Sequence, residues 1–387
     1  MDLPQLHDFY RTCLLDDVIP FWLNHGIDSE GGINTCITDE GKVVSRNRWT
    51  RSQWRAVYVF SRLYNQVDTR PEWLAAAEGI AGFMIKAGPL PNGIWPLLYD
   101  HQRNVLRGYE EIFASGFAIY GLCELWKATR DPELLDLAVN TYRAVQTELD
   151  RDENPPTFPY TTPDGCMGHG ISMMFSLTFH ELAQCTGEFE IHEEADRHHR
   201  LVMECFLRDD RDLVLEWVRT DGSEAPPPAG TAVVPGHGIE SMWFQMHIAS
   251  AHAELNTLDR CVEAIQRHLE AGWDTEYGGL FLAVDADGRD EVAWDHADTK
   301  VFWPHTETLY ATLLAYEHCR EEWCLDWHER TRAYAWDHFP VKKVGEWHQE
   351  LDRQGNWIEN RSGLPVKDPF HLSRSLLLCL DVLERLV

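Results

Sequence analysis

The sequence predicts an all-α protein, an (α/α)6 barrel in which an inner ring of helices is surrounded by an outer ring. Three observations lead to this fold class. Apolar residues recur with helical spacing in about twelve segments. The connections between these segments are alternately short and long. Residue-level repeats of about 30 to 50 positions, which would favour an open α-solenoid, are absent. Short connections join antiparallel neighbours, so helical hairpins laid around a ring would place every long loop at one end.

The first helix is predicted from apolar residues at Leu6, Phe9, Cys13, Phe21 and Trp22. The same pattern continues at about 51–64, 71–85, 112–129, 132–148, 171–186, 192–207, 239–255, 257–271, 305–318, 322–338 and 371–385. The long connections are rich in Gly, Pro and Asp, which favours turns between short strands. We therefore expect β-hairpins in the long loops and a single domain covering residues 1–387.

Composition and charge restrict the class of partner. Hydrophobic residues make up 44% of the chain, and 16 tryptophans are enough for a large core and for an aromatic cleft that stacks on a sugar. A net charge of -29 argues against nucleic acid and against an anionic membrane surface. No stretch approaches the roughly 20 uncharged apolar residues of a membrane span. We expect a small-molecule partner, and a homodimer stays open.

The ten cysteines are scattered and form no C-x-x-C pair, which favours buried free thiols in a reducing compartment. The N-terminal residues lack a basic region followed by an apolar signal segment. The predicted location is therefore the cytoplasm.

Residues 234–245 carry the clearest catalytic pattern. Pro235 and Gly236 make a turn that delivers His237, and Glu240 follows three residues later on the same face of a new helix. A second histidine, His371, stands at a comparable loop-to-helix junction near the C-terminus.

Notable polar residues recur at the starts of even-numbered helices, where the barrel would bring them together. They are Arg55 in the second helix, Glu240 in the eighth, His305 and Glu307 in the tenth, and His371 and Arg374 in the twelfth. Converging helix N-termini, each equivalent to about half a positive charge, would favour a negatively charged intermediate.

Two histidines on opposite faces of a substrate carbon suit proton transfer, because an unperturbed imidazole titrates near pH 6.5. Arg55 or Arg374 would stabilise an enediolate oxygen, and Glu240 would orient a histidine or accept sugar hydroxyls. The alternative for each is a packed or ion-paired helix residue, and Trp303 fits either a core position or a stacking platform.

The remaining histidines carry weaker signals. Those at His180, His198 and His199 fit ordinary helix patterns, so we expect them on the surface. His169 follows a glycine and either lines the cleft or closes a turn.

Other chemistries have little support in the sequence. It contains no H-E-x-x-H spacing, no G-x-x-x-x-G-K-[ST] loop, no G-x-G-x-x-G fingerprint and no G-x-S-x-G elbow. We predict no metal and no cofactor. Two further classes stay open: a glycoside hydrolase with Glu240 and Glu307 as its carboxylate pair, and a non-catalytic sugar-binding toroid.

Several motifs together resemble a known family. They are Gln53-Trp-Arg55, Pro235-Gly-His-Gly-Ile-Glu240, Lys300-Val-Phe-Trp-Pro-His-Thr-Glu307, Gly345-Glu-Trp347 and Phe370-His-Leu-Ser-Arg374. In order and spacing the chain resembles, nearly end to end, the N-acylglucosamine 2-epimerase superfamily, which also contains cellobiose 2-epimerases, mannose 2-epimerases and mannose-type aldose-ketose isomerases.

The resemblance implies an (α/α)6 barrel and cofactor-free chemistry at C2 of a sugar through a cis-enediolate. It implies that His237 and His371 are the acid/base pair and that Arg55 lies near the reacting oxygens. Glu240, Trp303 and Glu307 would be cleft residues, and Arg374 and His305 join them as substrate-binding candidates.

The implied reaction is 2-epimerisation of a monosaccharide of the N-acetylglucosamine/N-acetylmannosamine or glucose/mannose type. The alternative at the same site is aldose-ketose isomerisation of the mannose/fructose type. Ile171-Ser-Met-Met-Phe175 is closer to the N-acyl type than to the cellobiose type, which has histidines there. We therefore do not expect a disaccharide substrate.

Overall fold

The computed structural model describes residues 1–342, 344–358 and 366–387, and within these ranges the chain forms twelve helical segments. The first, α1, consists of four consecutive stretches, Leu3–Thr12, Cys13–Val18, Ile19–Phe21 and Trp22–Gly26, of which the second and fourth have π geometry. The others are α2 (Thr50–Gln66), α3 (Pro71–Ala87), α4 (Phe113–Thr129), α5 (Pro132–Leu149), α6 (His169–Thr186), α7 (Phe189–Leu201, continued by a π turn at Val202–Phe206), α8 (Pro235–His252), α9 (Leu255–Gly272), α10 (Phe302–Cys319), α11 (Glu322–His338) and α12 (Phe370–Leu386).

The even-numbered helices form a closed inner ring. Each packs against the next, from α2 through α4, α6, α8 and α10 to α12, and α12 packs back against α2. Each odd-numbered helix packs on the outside against its hairpin partner, and α1 packs on α12. Inner helices such as α4 and α8 are buried on nearly every face, whereas outer helices bury one side only. The predicted (α/α)6 barrel is confirmed.

The short connections are tight turns between the two helices of a hairpin. Four of them have two residues, and the first residue of each adopts the left-handed conformation. These residues are Arg130 (φ 59°), Gly187 (φ 71°), Ala253 (φ 58°) and Arg320 (φ 60°). A left-handed residue after the last helical turn reverses the chain at once, and the next helix therefore returns antiparallel to the first.

The long connections all lie at the end of the barrel where the inner helices begin, and short antiparallel strands join them. Hairpins within one connection form between Cys36–Ile37 and Val43–Ser45, between Leu98–Tyr99 and Val105–Arg107, and between Leu207–Arg208 and Leu213–Val214. Four further pairs join successive connections: Arg48–Trp49 with Leu98–Tyr99, Cys166–Gly168 with Trp217–Arg219, Ala232–Val233 with Val284–Asp285, and Lys300–Val301 with Glu350–Leu351.

The predicted hairpins within the long loops are thus present. The strand pairs between successive connections were not predicted. In each of those four pairs the first strand leads directly into an inner helix. The neighbouring loop therefore holds the start of that helix in place. None of the helices in the described ranges has both the length and the apolar character that a bilayer span requires.

Candidate active site

A cavity of about 420 Å³ opens where the six inner helices begin. Every inner helix contributes to its wall from its first two turns, as represented by Arg55 of α2, Phe113 of α4, His169 of α6, His237 of α8, Trp303 of α10 and His371 of α12. The predicted convergence of residues far apart in sequence is therefore observed.

His237, the third residue of α8, is held by an acid that the sequence motifs did not indicate. Its Nδ1 lies 3.0 Å from Oε1 of Glu216, and its ring stacks on Trp303 with centroids 5.1 Å apart. The side chain is 23% exposed. Burial acts to lower the pKa of His237, but the charge and hydrogen bond of the Glu216 carboxylate outweigh it, and the pKa is raised. A protonated His237 is therefore favoured.

Glu216 is itself buried between two histidines. Burial acts to raise its pKa, but His237 and His169 overcome that effect and hold the pKa at about 2. Nδ1 of His169 lies 3.9 Å from Oε1 of Glu216, and Nε2 of His169 pairs with Oγ of Ser241 at 3.0 Å. Of the two alternatives for His169, the cleft position is the observed one.

His371, the second residue of α12, has its own carboxylate partner and the opposite protonation preference. Its Nδ1 lies 2.8 Å from Oε1 of Glu307, and its Nε2 lies 3.3 Å from Nη2 of Arg55. A guanidinium can only donate, so Nε2 accepts and the ring proton sits on Nδ1, which donates to Glu307. Burial first, and then the charge of Arg55, hold the pKa of His371 well below its ordinary value. The ring is therefore neutral, with its Nε2 lone pair free of a proton.

Both imidazoles lie against the same indole. The centroid of the Trp303 ring lies 5.6 Å from that of His371 and 5.1 Å from that of His237. Gly236 permits this packing, because a Cβ there would lie 2.7 Å from Cζ3 of Trp303. Trp303 lines the cavity, and its role as a stacking platform for a sugar stays a prediction.

Arg55 reaches the cavity between two aromatic rings. Its guanidinium lies 4.2 Å from the centroid of Phe117 and 4.9 Å from that of Phe370, and Nη1 donates to Oδ2 of Asp368 at 3.2 Å. These contacts fix the guanidinium beside Nε2 of His371, where it can donate to a substrate oxygen.

Behind His371, a buried network links two acids through one cation. Nη2 of Arg374 donates to Oε1 of Glu307 at 2.8 Å and also to Oε1 of Glu240, while Nε1 of Trp243 donates to Oε2 of Glu307 at 3.0 Å. Burial raises the pKa of Glu307, and Arg374 opposes that shift. Glu240 and Arg374 also line the cavity, as predicted.

Glu307 corrects one expectation. It is fully buried, it does not line the cavity, and both of its oxygens are occupied by protein donors. Its place is behind His371, which it orients, and it has no free oxygen for a substrate.

The same network bears on two other chemistries. Donor atoms of Glu240, Glu307 and His371 lie within 4.8 Å of one another, a spacing that a metal could bridge. However, the Arg374 guanidinium already donates to both carboxylates, so a metal would have to displace it. Since Glu240 and Glu307 share a single arginine nitrogen, they do not flank an open space as a glycosidase carboxylate pair does.

His305 does not enter the cavity. Its Nε2 accepts from the Leu280 backbone N–H at 2.9 Å, its Nδ1 pairs with the Val301 carbonyl at 2.8 Å, and the ring stacks on Tyr334 of α11. The physical reason is helical geometry: position 305 is about 200° around the helix from Trp303. We therefore regard His305 as structural, contrary to the expectation that it binds substrate.

The expected surface position of His180, His198 and His199 is also wrong, because all three are less than 10% exposed. His198 and His199 pack between helices, where His199 Nδ1 pairs with Oε1 of Gln245 at 2.7 Å. Glu216 is the functional-site residue that sequence reasoning missed. An acid inside the apolar run 213–218 was the available signal, since an unpaired carboxylate is rarely buried.

Known proteins share this architecture. The sequence profile of N-acylglucosamine 2-epimerase (GlcNAc 2-epimerase) matches residues 31–374. The chain is 29% identical over 390 residues to N-acylglucosamine 2-epimerase of Bos taurus, a match that covers 96% of this chain and 90% of the relative.

Two solved structures share the fold. A cellobiose 2-epimerase from Bacillus thermoamylovorans has a TM-score of 0.84 at 17% identity, over 99% of this chain and 100% of that one. A D-mannose isomerase has a TM-score of 0.83 at 18% identity, over 98% of both chains. The chain therefore belongs to the N-acylglucosamine 2-epimerase family, and as a member of it the protein is an isomerase, a sugar 2-epimerase.

Proposed function

We propose that the protein interconverts the C2 epimers of a monosaccharide, N-acetylglucosamine and N-acetylmannosamine or glucose and mannose, through the enolate formed when C2 of the open-chain sugar loses its proton, which for glucose and mannose is a cis-enediolate. One observation carries this proposal. Two imidazoles, each with its own carboxylate and with opposite protonation preferences, lie against one indole in one cavity.

Proton removal falls to His371. Its Nε2 is unprotonated, and it takes the proton from C2 while the electron pair of the C–H bond moves towards the C1 carbonyl oxygen. The resulting enediolate oxygen accepts hydrogen bonds from Arg55, beside Nε2 of His371. The N-termini of the inner helices add positive potential at the same place.

Proton return falls to His237. The enediolate is planar at C2, so a proton delivered from the other face inverts the configuration. His237 is favoured in its protonated form by Glu216 and supplies that proton from Nε2, since Nδ1 faces the acid. In the reverse direction the two histidines exchange roles. The reaction balances in protons and requires no cofactor.

An N-acyl sugar is the substrate type that we place first. The inner wall of the cavity contains Met173, Met174, Leu177 and Phe244, an apolar surface suited to an acyl methyl group rather than to a hydroxyl. The relative from Bos taurus is named for the same sugar class.

Solvent exchange tests the reaction. In D2O we expect deuterium at C2 of both epimers when N-acetylglucosamine, N-acetylmannosamine, glucose and mannose are each incubated with enzyme and followed by NMR. His237→Ala and His371→Ala should each abolish net epimerisation. Deuterium at C1 with formation of a ketose would instead establish an aldose-ketose isomerase. The observation that favours this alternative is the fold shared with D-mannose isomerase.

Two outcomes would contradict both reactions. Release of reducing sugar from an oligosaccharide would indicate a glycoside hydrolase. Retained sugar binding without exchange in any sugar would indicate a non-catalytic toroid.

We further propose a cytoplasmic, single-domain enzyme. All ten cysteines are free thiols, which suits a reducing compartment. Light scattering on the purified protein would decide between a monomer and a homodimer.

A further inference from the structure

Three histidines and an aspartate meet at the end of the barrel opposite the cavity. They are His180 of α6, His192 and Asp196 of α7, and His252, the last residue of α8. The His180 ring centroid lies 6.4 Å from that of His192 and 6.3 Å from that of His252, and Nε2 of His252 lies 3.8 Å from Oδ1 of Asp196. His180 follows His169 by eleven residues, about 16 Å along the helix axis, so this cluster is separate from the active site.

Two enclosed polar atoms of this cluster have no hydrogen-bond partner within the described parts of the chain. His180 is 6% exposed, and its enclosed Nδ1 makes no hydrogen bond. Oδ1 of Asp196 is likewise enclosed and makes no hydrogen bond, its contact with Nε2 of His252 being 3.8 Å long. Buried polar atoms normally have a hydrogen-bond partner, so two enclosed atoms without one in a single cluster point to a ligand that would bind them.

The donor types and their placement fit a metal ion. His192 and Asp196 are four residues apart and therefore lie on one face of α7. The other two histidines come from inner helices, His180 from α6, on which α7 packs, and His252 from the next inner helix, α8. Three imidazoles and one carboxylate form a ligand set for Zn²⁺ and related divalent transition metals. Oε1 of Glu254 lies 3.9 Å from Nδ1 of His252, where a carboxylate would hold the ring with Nε2 towards the ion.

The side chains must draw together to bind. Imidazoles that share one ion at about 2.1 Å bring their ligating nitrogens to roughly 3.4 Å from one another. No three ligand atoms among these described residues lie within 4.8 Å of one another, so binding requires the side chains of the cluster to rotate. The His252 and Asp196 side chains are 30% and 24% exposed, and His192 is also partly exposed, so these three have room to rotate.

We propose that His180, His192, Asp196 and His252 form a binding site for a divalent transition-metal ion, with Zn²⁺ as the type. The ion fastens α6, α7 and α8 together at the end remote from catalysis. Its role is structural or regulatory, and the site is independent of the proposed sugar chemistry.

Metal titration of the full-length, chelator-treated protein tests this site. We expect one Zn²⁺ per chain by calorimetry, and Co²⁺ should give the intense visible absorption of a tetrahedral site. His192→Ala and His252→Ala, chosen because these residues are partly exposed, should each weaken binding by about 100-fold or more, since even indirect contacts to a metal account for about 10- to 100-fold.

Two controls separate this site from others. His318→Ala removes an exposed histidine that pairs with Asp259 at 2.8 Å, and it should leave binding unchanged. His371→Ala removes the histidine near the active-site carboxylates, and it should also leave binding unchanged. Circular dichroism confirms that each variant is folded.

Three results would overturn the proposal. They are the absence of binding at micromolar Zn²⁺, equal affinity in the His192→Ala/His252→Ala double variant, and loss of the ion in His371→Ala. None of these measurements depends on catalytic activity, so failure of the metal site leaves the proposed epimerase reaction untouched.

Discussion

Replacing Glu216 by glutamine isolates the effect of its charge on His237. The amide keeps the size of the side chain and can still accept a hydrogen bond from Nδ1, which the carboxylate accepts at 3.0 Å. At that distance two unit charges attract by about 5 kcal/mol at an effective dielectric constant of about 20. The net effect of such a neighbour on an ionisable group is smaller, about 1.4 to 4 kcal/mol. The ratio of protonated to neutral His237 should therefore fall by about 10- to 1000-fold at any given pH.

The sign of the pH effect follows from the role of the acid. His237 must be protonated to deliver its proton, so the rate falls as the pH rises through its pKa. Glu216 raises that pKa against the opposing effect of burial, and in Glu216→Gln burial remains while the charge is lost. The alkaline limb of the kcat profile should move to lower pH. In the direction in which His371 removes the proton, kcat should fall by about 10- to 1000-fold at a pH above the native pKa of His237 and change little well below the pKa of the variant.

The assay is the initial rate of epimerisation measured between about pH 6 and 9, the range in which histidine titrates. Glu224→Gln is the matched control, because Glu224 lies in the same connection and pairs with Arg208 and Arg211 rather than with a histidine. Its profile should coincide with that of the native enzyme. An unmoved alkaline limb in Glu216→Gln, or a profile lowered equally at every pH, would refute the positioning role of this acid.

Two further predictions concern stability. Gly236→Ala should destabilise the fold by about 1 to 3 kcal/mol in urea unfolding, because the added Cβ would lie 2.7 Å from Trp303; Gly82→Ala, where a Cβ meets nothing within 4 Å, should be neutral or stabilising. Glu346→Gln should be more stable than the native protein at pH 8, by roughly 3 kcal/mol at most, and equal to it at about pH 4, below the unfolded pKa of the acid. Burial raises the pKa of Glu346 from 4.5 to about 7, so the native protein loses stability as the pH rises through that range. Equal stability of this pair at pH 8 would contradict the prediction.

The barrel could be predicted from the sequence because its signals are local and repeated. Short links such as 130–131 and 187–188 force antiparallel hairpins, and the long connections can then lie only at the other end. Which side chain reaches the cavity is harder to predict, because it depends on rotation around each helix. On α10, Trp303 and Glu307 lie on the same face, whereas His305 points to the outer layer. Trp303 lies nearer the start of the helix and lines the cavity, while Glu307 lies one turn further along and is buried behind it.

Glu216 could not be placed by such rules, because it belongs to no inner helix. It lies just before the strand Trp217–Arg219, and it reaches His237 only because that strand pairs with Cys166–Gly168, which leads into α6. Contacts between successive long connections are non-local and leave little local pattern. His180 was misplaced for a related reason: α6 is buried on nearly every face, so a polar residue in it does not mark the exposed side.

In two places a histidine donates from Nδ1 to a buried glutamate, yet the pair yields an acid at His237 and a base at His371. The difference lies in the surrounding charges. Within the described ranges, the groups that lower the pKa of Glu216 are His237 and His169, so its charge acts on His237 and favours the imidazolium. Glu307 already accepts from Arg374, and Arg55 faces Nε2 of His371 directly, so a second positive charge there is opposed. Because these charges favour the proton on His237 over His371, the free enzyme is prepared for the epimer whose C2 hydrogen faces His371. The other epimer can react only after the proton has moved from His237 to His371. In that direction, exchange of the histidine protons with solvent should therefore be faster relative to epimerisation.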